Sequence, residues 1–243
     1  MRRCLVIAVL AAVLVPPSLS AHVRMLTPKP RSTDTVKIGP CGGIPRTKKP
    51  TYFVAGQEIT VEWEEYTDHP GYHRILWSPG SDKNFVVLLD NIPDKVKPTG
   101  ASAMYSSTVT LPDTPGVDGT LQLIQVMTEN PAAPTLYFAC ADIHLVAPPK
   151  PFKRGDSNQD GQVDIADVTS TLEYLFTAEQ PAAPACPDAL DSNGDGKINV
   201  GDSIATLFWL FEGATIPPPG AEACGMPVQV GPLECGVYDV CPE

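Results

Sequence analysis

Two twelve-residue stretches late in the chain constrain its fold more than any other feature. The first runs Asp156-Ser-Asn158-Gln-Asp160-Gly161-Gln162-Val-Asp164-Ile-Ala-Asp167, and the second runs Asp191-Ser-Asn193-Gly-Asp195-Gly196-Lys197-Ile-Asn199-Val-Gly-Asp202. In each, oxygen-bearing side chains stand at positions 1, 3, 5, 9 and 12, and glycine stands at position 6, where the backbone has to turn sharply. Gln162 and Lys197, at position 7, can each offer a backbone carbonyl. A hard cation that takes roughly six to eight oxygen ligands needs such a set, so each loop is expected to bind one calcium ion. The alternative, a pair of metal-free Asx-rich turns, does not explain why both copies agree at every ligand position.

Each loop runs into an apolar stretch at helical spacing, Val168 to Phe176 and Ser203 to Phe211. Position 12 is Asp, not the Glu of EF-hands, and no helical pattern precedes either loop. Paired loops of this kind, each followed by a single helix, resemble type I dockerin modules over residues 154–213. The connecting segment, with Pro-Ala-Ala-Pro-Ala-Cys186, is longer and richer in proline than the commonest dockerin pattern. The resemblance implies attachment to a cohesin-bearing scaffold or cell-surface protein through a face of these helices. Tyr174, Leu175, Phe176, Phe208, Trp209 and Phe211 are the candidates for that face, with packing between the helices as the alternative role for each.

Ahead of the loops the pattern changes from helical to alternating. Glu58–Trp63, Tyr72–Trp77, Phe85–Leu89, Ser106–Leu111, Thr120–Met127 and Thr135–Val146 are short runs rich in Val, Ile, Thr and aromatics, bounded by Gly, Pro, Asn or Asp. They predict a mainly β protein: an immunoglobulin-like β-sandwich over residues 22–146, carrying a small α-helical, calcium-binding domain. The Pro-rich segment 147–153 reads as a linker, and residues 214–243, rich in Cys, Pro and Gly, as a stapled tail.

The first residues read as a secretory signal, 1–21. Arg2 and Arg3 precede an apolar run from Leu5 to Val15, too short for a membrane span, and Pro16, Pro17 and Ser18 lead to a small-residue cleavage site. The expected location is extracellular or attached to a cell surface, with no membrane span. Removal of the signal takes Cys4 with it and leaves six cysteines, an even number that favours three disulfides in an exported chain. Cys41–Cys140 is the pairing expected in the first domain, with Cys186, Cys224, Cys235 and Cys241 pairing among themselves. With 28 acidic against 17 basic residues and a net charge of −11, nucleic acid is not an expected partner.

Cleavage after Ala21 would place His22 first. Cleavage after Ser20 suits the local small-residue preference better, since Ser18 and Ser20 then stand three residues and one residue before the cut, and it would leave Ala21 in front. A leading histidine can chelate one metal through its amino group and its ring together. A second imidazole completes a three-nitrogen site that suits copper. His22 followed by Pro28-Lys-Pro-Arg31 looks like the start of lytic polysaccharide monooxygenases and their relatives. Gly39-Pro-Cys41-Gly-Gly43, Asp68-His69-Pro-Gly-Tyr72-His73-Arg-Ile75, Leu121-Gln-Leu-Ile-Gln-Val126 and Tyr137-Phe-Ala-Cys140-Ala-Asp142-Ile143 extend the resemblance to a bacterial family of monooxygenase-like proteins.

That resemblance implies copper held by His22 and His69, the latter favoured through its His-Pro-Gly context, with His73 as the alternative. Asp142 is a candidate third or axial ligand, sharing a strand face with Cys140. The implied activity is copper-dependent oxidative attack on a polysaccharide, His22 and His69 forming the catalytic centre. Two other readings compete with it: a copper-binding or delivery protein without catalysis, and a carbohydrate-binding structural module. No Gly-x-Ser-x-Gly elbow, phosphate loop or His-Glu-x-x-His motif is present.

Overall fold

The computed structural model describes residues 23–33, 36–67, 69–95, 102–177 and 184–242. The signal segment, His22 and Asp68 lie outside these residues. Eight strands and three helices are found among the described residues: β1 (Val23–Thr27), β2 (Thr51–Val54), β3 (Glu58–Glu65), β4 (Gly71–Pro79), β5 (Val86–Pro93), β6 (Ala103–Thr110), β7 (Val117–Met127), β8 (Thr135–Val146), α1 (Ile165–Phe176), α2 (Pro187–Leu190) and α3 (Val200–Glu212). None of the described helices is long and apolar enough to cross a membrane.

The strands form a two-sheet, immunoglobulin-like β-sandwich. One sheet has the order β1-β3-β6 and the other β2-β8-β7-β4-β5. The alternation in β3 decides which side chains go inside: Ile59, Val61, Trp63 and Glu65 point into the core while their neighbours stay outside. Tyr105 and Val109 of β6 join them. From the larger sheet, Ile75 and Trp77 of β4, Leu121 and Leu123 of β7, and Ala139, Ala141, Ile143 and Leu145 of β8 close the core.

The central strands β7 and β8 are buried on both faces. Their second face lies beneath the described residues of the segment that follows β1, 28–33 and 36–50. Arg31 N–H donates to the Cys140 carbonyl (2.8 Å), Phe138 N–H donates to the Val36 carbonyl (2.9 Å), and the Gln122 side chain donates to the Pro40 carbonyl (2.7 Å). The Cys41–Cys140 disulfide fastens this cover, with Cα atoms 5.7 Å apart.

In the C-terminal half, each long helix begins at loop position 10, earlier than the hydrophobic spacing alone implies. Asp164 and Asn199, at position 9, are the N-caps, and Asp167 and Asp202 return the hydrogen bond in capping boxes. The helices pack together, and two hydroxyl pairs, Ser157–Thr171 (2.7 Å) and Ser192–Thr206 (2.8 Å), tie each loop to its helix. The tail returns over this module. Phe152 and Gly225 exchange backbone hydrogen bonds, and the disulfides Cys186–Cys235 and Cys224–Cys241 close it.

Candidate metal sites

At one end of the sandwich, the row His73↔Gln125↔Tyr137 crosses the larger sheet and Trp63↔Tyr105 lies opposite it on the smaller one. The Trp63 and Tyr105 rings stack at 5.3 Å, and the His73 ring sits 5.4 Å from Trp63 and 4.7 Å from Tyr105. His73 is 1% exposed. Glu65, 0% exposed, accepts from Gln125 (2.7 Å) and from the Tyr105 hydroxyl (2.8 Å), which also contacts Asp94. Burial, followed by the Asp94 contact, pushes the Tyr105 phenol well above its ordinary pKa, so it stays a neutral donor.

His69 stands just before β4 at this same end, and its environment explains the His-Pro-Gly pattern. Pro70 offers its carbonyl to the Thr128 N–H (2.7 Å) and hydroxyl (3.0 Å), which pins the turn against the end of β7. Gly71 is required by the close approach that follows, because a Cβ there would lie 2.0 Å from the Val126 carbonyl oxygen. With the turn fixed, His69 Nδ1 contacts Glu129 Oε1. A carboxylate on one imidazole nitrogen fixes the ring and raises the basicity of the other, so Nε2 is the nitrogen a metal would take. Val23, the first described residue, pairs with Glu65 in this region.

Sequence reasoning placed Asp142 with His69, and the structure corrects this. Gly71 pairs with Met127, whereas Asp142 pairs with Thr120, seven residues back along β7. At about 3.4 Å per residue that is roughly 24 Å along the strand. Asp142 does share the face of Cys140, but that face lies under the cover of residues 28–33 and 36–50. There its carboxylate is enclosed by cations and donors: Arg31 Nε at 3.0 Å from both oxygens, Arg31 Nη2 at 2.7 Å, Arg46 Nε at 3.3 Å and the Thr47 N–H at 2.7 Å. Arg31 also grips Asp82 through two 2.7 Å contacts, which hold the Asp82 carboxyl below its usual pKa. The group is a buried charge network that fastens the cover, and the Pro-x-Pro-Arg31 motif was its sequence signal. His144 pairs with Asp118 at 2.7 Å, away from the His69 end.

Among the described residues, no three His, Cys, Asp or Glu side chains converge to hold a metal by themselves. A copper site at the His69 end therefore needs a donor beyond them. The calcium-type loops draw on Asn side chains and backbone carbonyls as well as carboxylates. In the first loop, Asp156 accepts from the N–H groups of Asp160 (3.1 Å) and Gly161 (2.9 Å), and Asp167 accepts from those of Asn158 (3.1 Å) and Asp164 (2.8 Å). The second loop repeats the pattern: Asp191 accepts from Asp195 (3.0 Å) and Gly196 (2.9 Å), and Asp202 from Asn193 (3.3 Å) and Asn199 (2.7 Å). Gly161 and Gly196 both take positive φ at the turn, 90° and 79°. Burial, with Asp156 nearby, pushes Asp167 up to about 6, and burial with Asp191 and Asp195 does the same to Asp202. Such clustered acids are what a divalent cation neutralises, so the donor set fits calcium.

The helices also present an apolar surface. Phe176, Phe208 and Phe211 are exposed, whereas Tyr174, Leu175 and Trp209 are half-buried. Val200 and Ile204 are exposed too, and with Phe208 and Phe211 they form one stripe along α3. Val200, at loop position 10, lies ahead of the apolar run from Ser203 to Phe211, and Ile204 lies within that run but outside the six residues named for the docking face. The equivalent α1 positions to Ile204 and Phe208 are Thr169 and Glu173, so the stripe belongs to α3.

Two modules are thus defined: a disulfide-fastened β-sandwich with a carboxylate-held histidine at one end, and a pair of calcium-type loops each leading into a helix. Residues 20–161 match the family described as Copper acquisition factor BIM1-like, and residues 154–204 match the Dockerin type I domain. The chain belongs to the BIM1-like copper acquisition factor family and carries a type I dockerin domain after that module. No curated protein matches it. Solved structures with some likeness include a lytic polysaccharide monooxygenase important for efficient utilization of chitin in Cellvibrio japonicus, at 15% identity and a TM-score of 0.33, covering 42% of this chain and 60% of that one. A cellulose-active polysaccharide monooxygenase from M. thermophila (15%, TM-score 0.35, 46% and 60% covered) and a chitin binding domain from Burkholderia pseudomallei (13%, TM-score 0.31, 40% and 57% covered) are comparable. The chain spans about 60% of the length of these structures.

Proposed function

We propose that the sandwich binds one copper ion through the amino group and ring of His22 together with the ring of His69, and that the dockerin domain tethers this copper site to a cohesin-bearing partner outside the cell. The observation that carries the reading is the His69–Glu129 contact, at the end where β1 begins beside Glu65. Membership of the copper acquisition family supports it independently. In this reading Glu129 holds His69 in the tautomer that presents Nε2, and the Pro70–Thr128 clamp keeps the ring from swinging away. Each calcium loop would hold one ion, stiffening the start of the helix that follows, and the α3 stripe would meet the cohesin.

Capture and transfer of copper is the role best supported, because it requires only ligation and access. Oxidative attack on a polysaccharide at the same ion is the second reading, and the half-buried Tyr66 and Tyr72 beside the site favour it as sugar-contacting groups. Trp63 and Trp77 are excluded from any such face, since both lie in the core. Bound copper would supply a one-electron redox couple. The chain would orient its ligands and, in the second reading, place the glycan. The deciding experiment incubates the copper-loaded secreted protein with a reductant and with chitin or cellulose. Tight one-to-one copper binding without oxidised sugars supports capture. Oxidised oligosaccharides would replace that role with catalysis, and absence of copper binding would overturn both.

A further inference from the structure

We infer that the two calcium loops are unequal, and that the C-terminal tail makes the first loop the tighter site by orienting its leading ligand, Asp156, through Tyr238. The inference rests on the calcium reading above and goes beyond it.

Inside the loops the backbone donors to positions 1 and 12 match pair for pair, while the side chains differ at position 9, Asp164 against Asn199, and at position 7, Gln162 against Lys197. A further difference lies behind the position 1 carboxylate: the cation nearest the first loop, Lys153, is engaged by the Gly161 carbonyl at 2.6 Å, and the group on the Asp156 carboxylate is a phenol. In the first loop the buried Tyr238 hydroxyl donates to Asp156 Oδ2. In the second, the Arg154 guanidinium donates to the Asp191 carbonyl at 2.7 Å and lies 3.7 Å from Asp191 Oδ2, while also binding Asp188 Oδ1 at 3.1 Å. A neutral phenol fixes a carboxylate's orientation and leaves its charge for the cation. A guanidinium beside the carboxylate already satisfies part of that charge and repels an arriving divalent ion.

Tyr238 is held firmly enough to act this way. Its ring meets Phe152 edge-on at 6.5 Å, and it lies between Cys235 and Cys241, each anchored by a disulfide. The tail covers the turn of the first loop as well: a Cβ on Gly161 would come within 2.7 Å of Val240. Asp156 is therefore oriented before any ion binds, so less has to be ordered at binding.

The test is calcium titration calorimetry on the full chain with one loop silenced at a time through its exposed position 5. Asp195→Ala leaves the first loop, and Asp160→Ala leaves the second. The first loop is expected to bind at least about tenfold tighter. Tyr238→Phe, which keeps the ring but removes the hydroxyl, is expected to weaken the first loop about tenfold and to leave the second within about twofold. Equal affinities in the two single-loop proteins, or a Tyr238→Phe effect shared by both loops or absent from both, would overturn the inference. If Tyr238→Phe does not fold, Asp164→Asn in the Asp195→Ala protein gives the first loop the second loop's position 9, and equal affinity of that protein and the Asp160→Ala protein would overturn the inference. Absence of calcium binding from both proteins would overturn the calcium reading itself, a result distinct from equal affinity.

Discussion

Glu129 and Asp142 are both carboxylates, but their surroundings give them different work. Glu129 is partly exposed and addresses one imidazole nitrogen, the arrangement that orients a metal ligand. Replacing it with Gln is expected to weaken copper binding about 10- to 100-fold, and His69→Ala to abolish tight binding, as read by competition with a chelator of known affinity. Asp142 is fully buried and saturated by Arg31, whose own side chain is 2% exposed. Arg31→Met leaves that charge without its main partner and is expected to cost about 3–5 kcal/mol in chemical denaturation. Sequence pattern gave the face of Asp142 correctly, because strand alternation is local. It could not give the partner, because Arg31 is 111 positions away and its approach depends on the cover folding over the sheet.

At the scale of elements, β3 and β6 were legible through alternation that marks an inner face, and β4, β5, β7 and β8 as runs rich in Val, Ile, Thr and aromatics between turn residues. β1 and β2 were not: they are five and four residues long, β1 pairs with a single neighbour, and all four β2 residues are half-buried. Helices α1 and α3 were legible but their starts were not, since the starts are set by the caps at Asp164 and Asn199, and the four-residue α2 is too short to show a helical period. The α3 stripe yields a prediction at this scale. Ile204→Ser with Phe208→Ser is expected to reduce affinity for a cohesin partner at least about tenfold in surface plasmon resonance, while Thr169→Ala with Glu173→Ala leaves it nearly unchanged. The Arg31 network predicts an acid response. Arg31 lowers the Asp82 pKa in the folded state, so the contribution of Asp82 is present above the unfolded value of about 3.9 and is lost as pH falls through the lower folded value. Arg31→Met should flatten that part of the stability profile, as followed by thermal midpoints between about pH 2 and 5.

For the whole molecule, the two modules are stabilised differently. A continuous apolar core and one disulfide support the sandwich, whereas the dockerin half has a small core of Phe152, Ala189, Tyr238 and cystines. Chelation of calcium is therefore expected to remove helical circular dichroism while leaving the near-ultraviolet signal of the buried Trp63 and Trp77 in place. Loss of both signals together would show that the modules unfold as one unit. The central claim, that copper is held by a leading His22 with His69, is tested most directly by titrating copper into two forms of the protein, one beginning at His22 and one beginning at Ala21. Tight one-to-one binding is expected of the first and an affinity at least about 100-fold weaker of the second, whose histidine lacks a free amino group. Equal affinity in the two forms would contradict the claim.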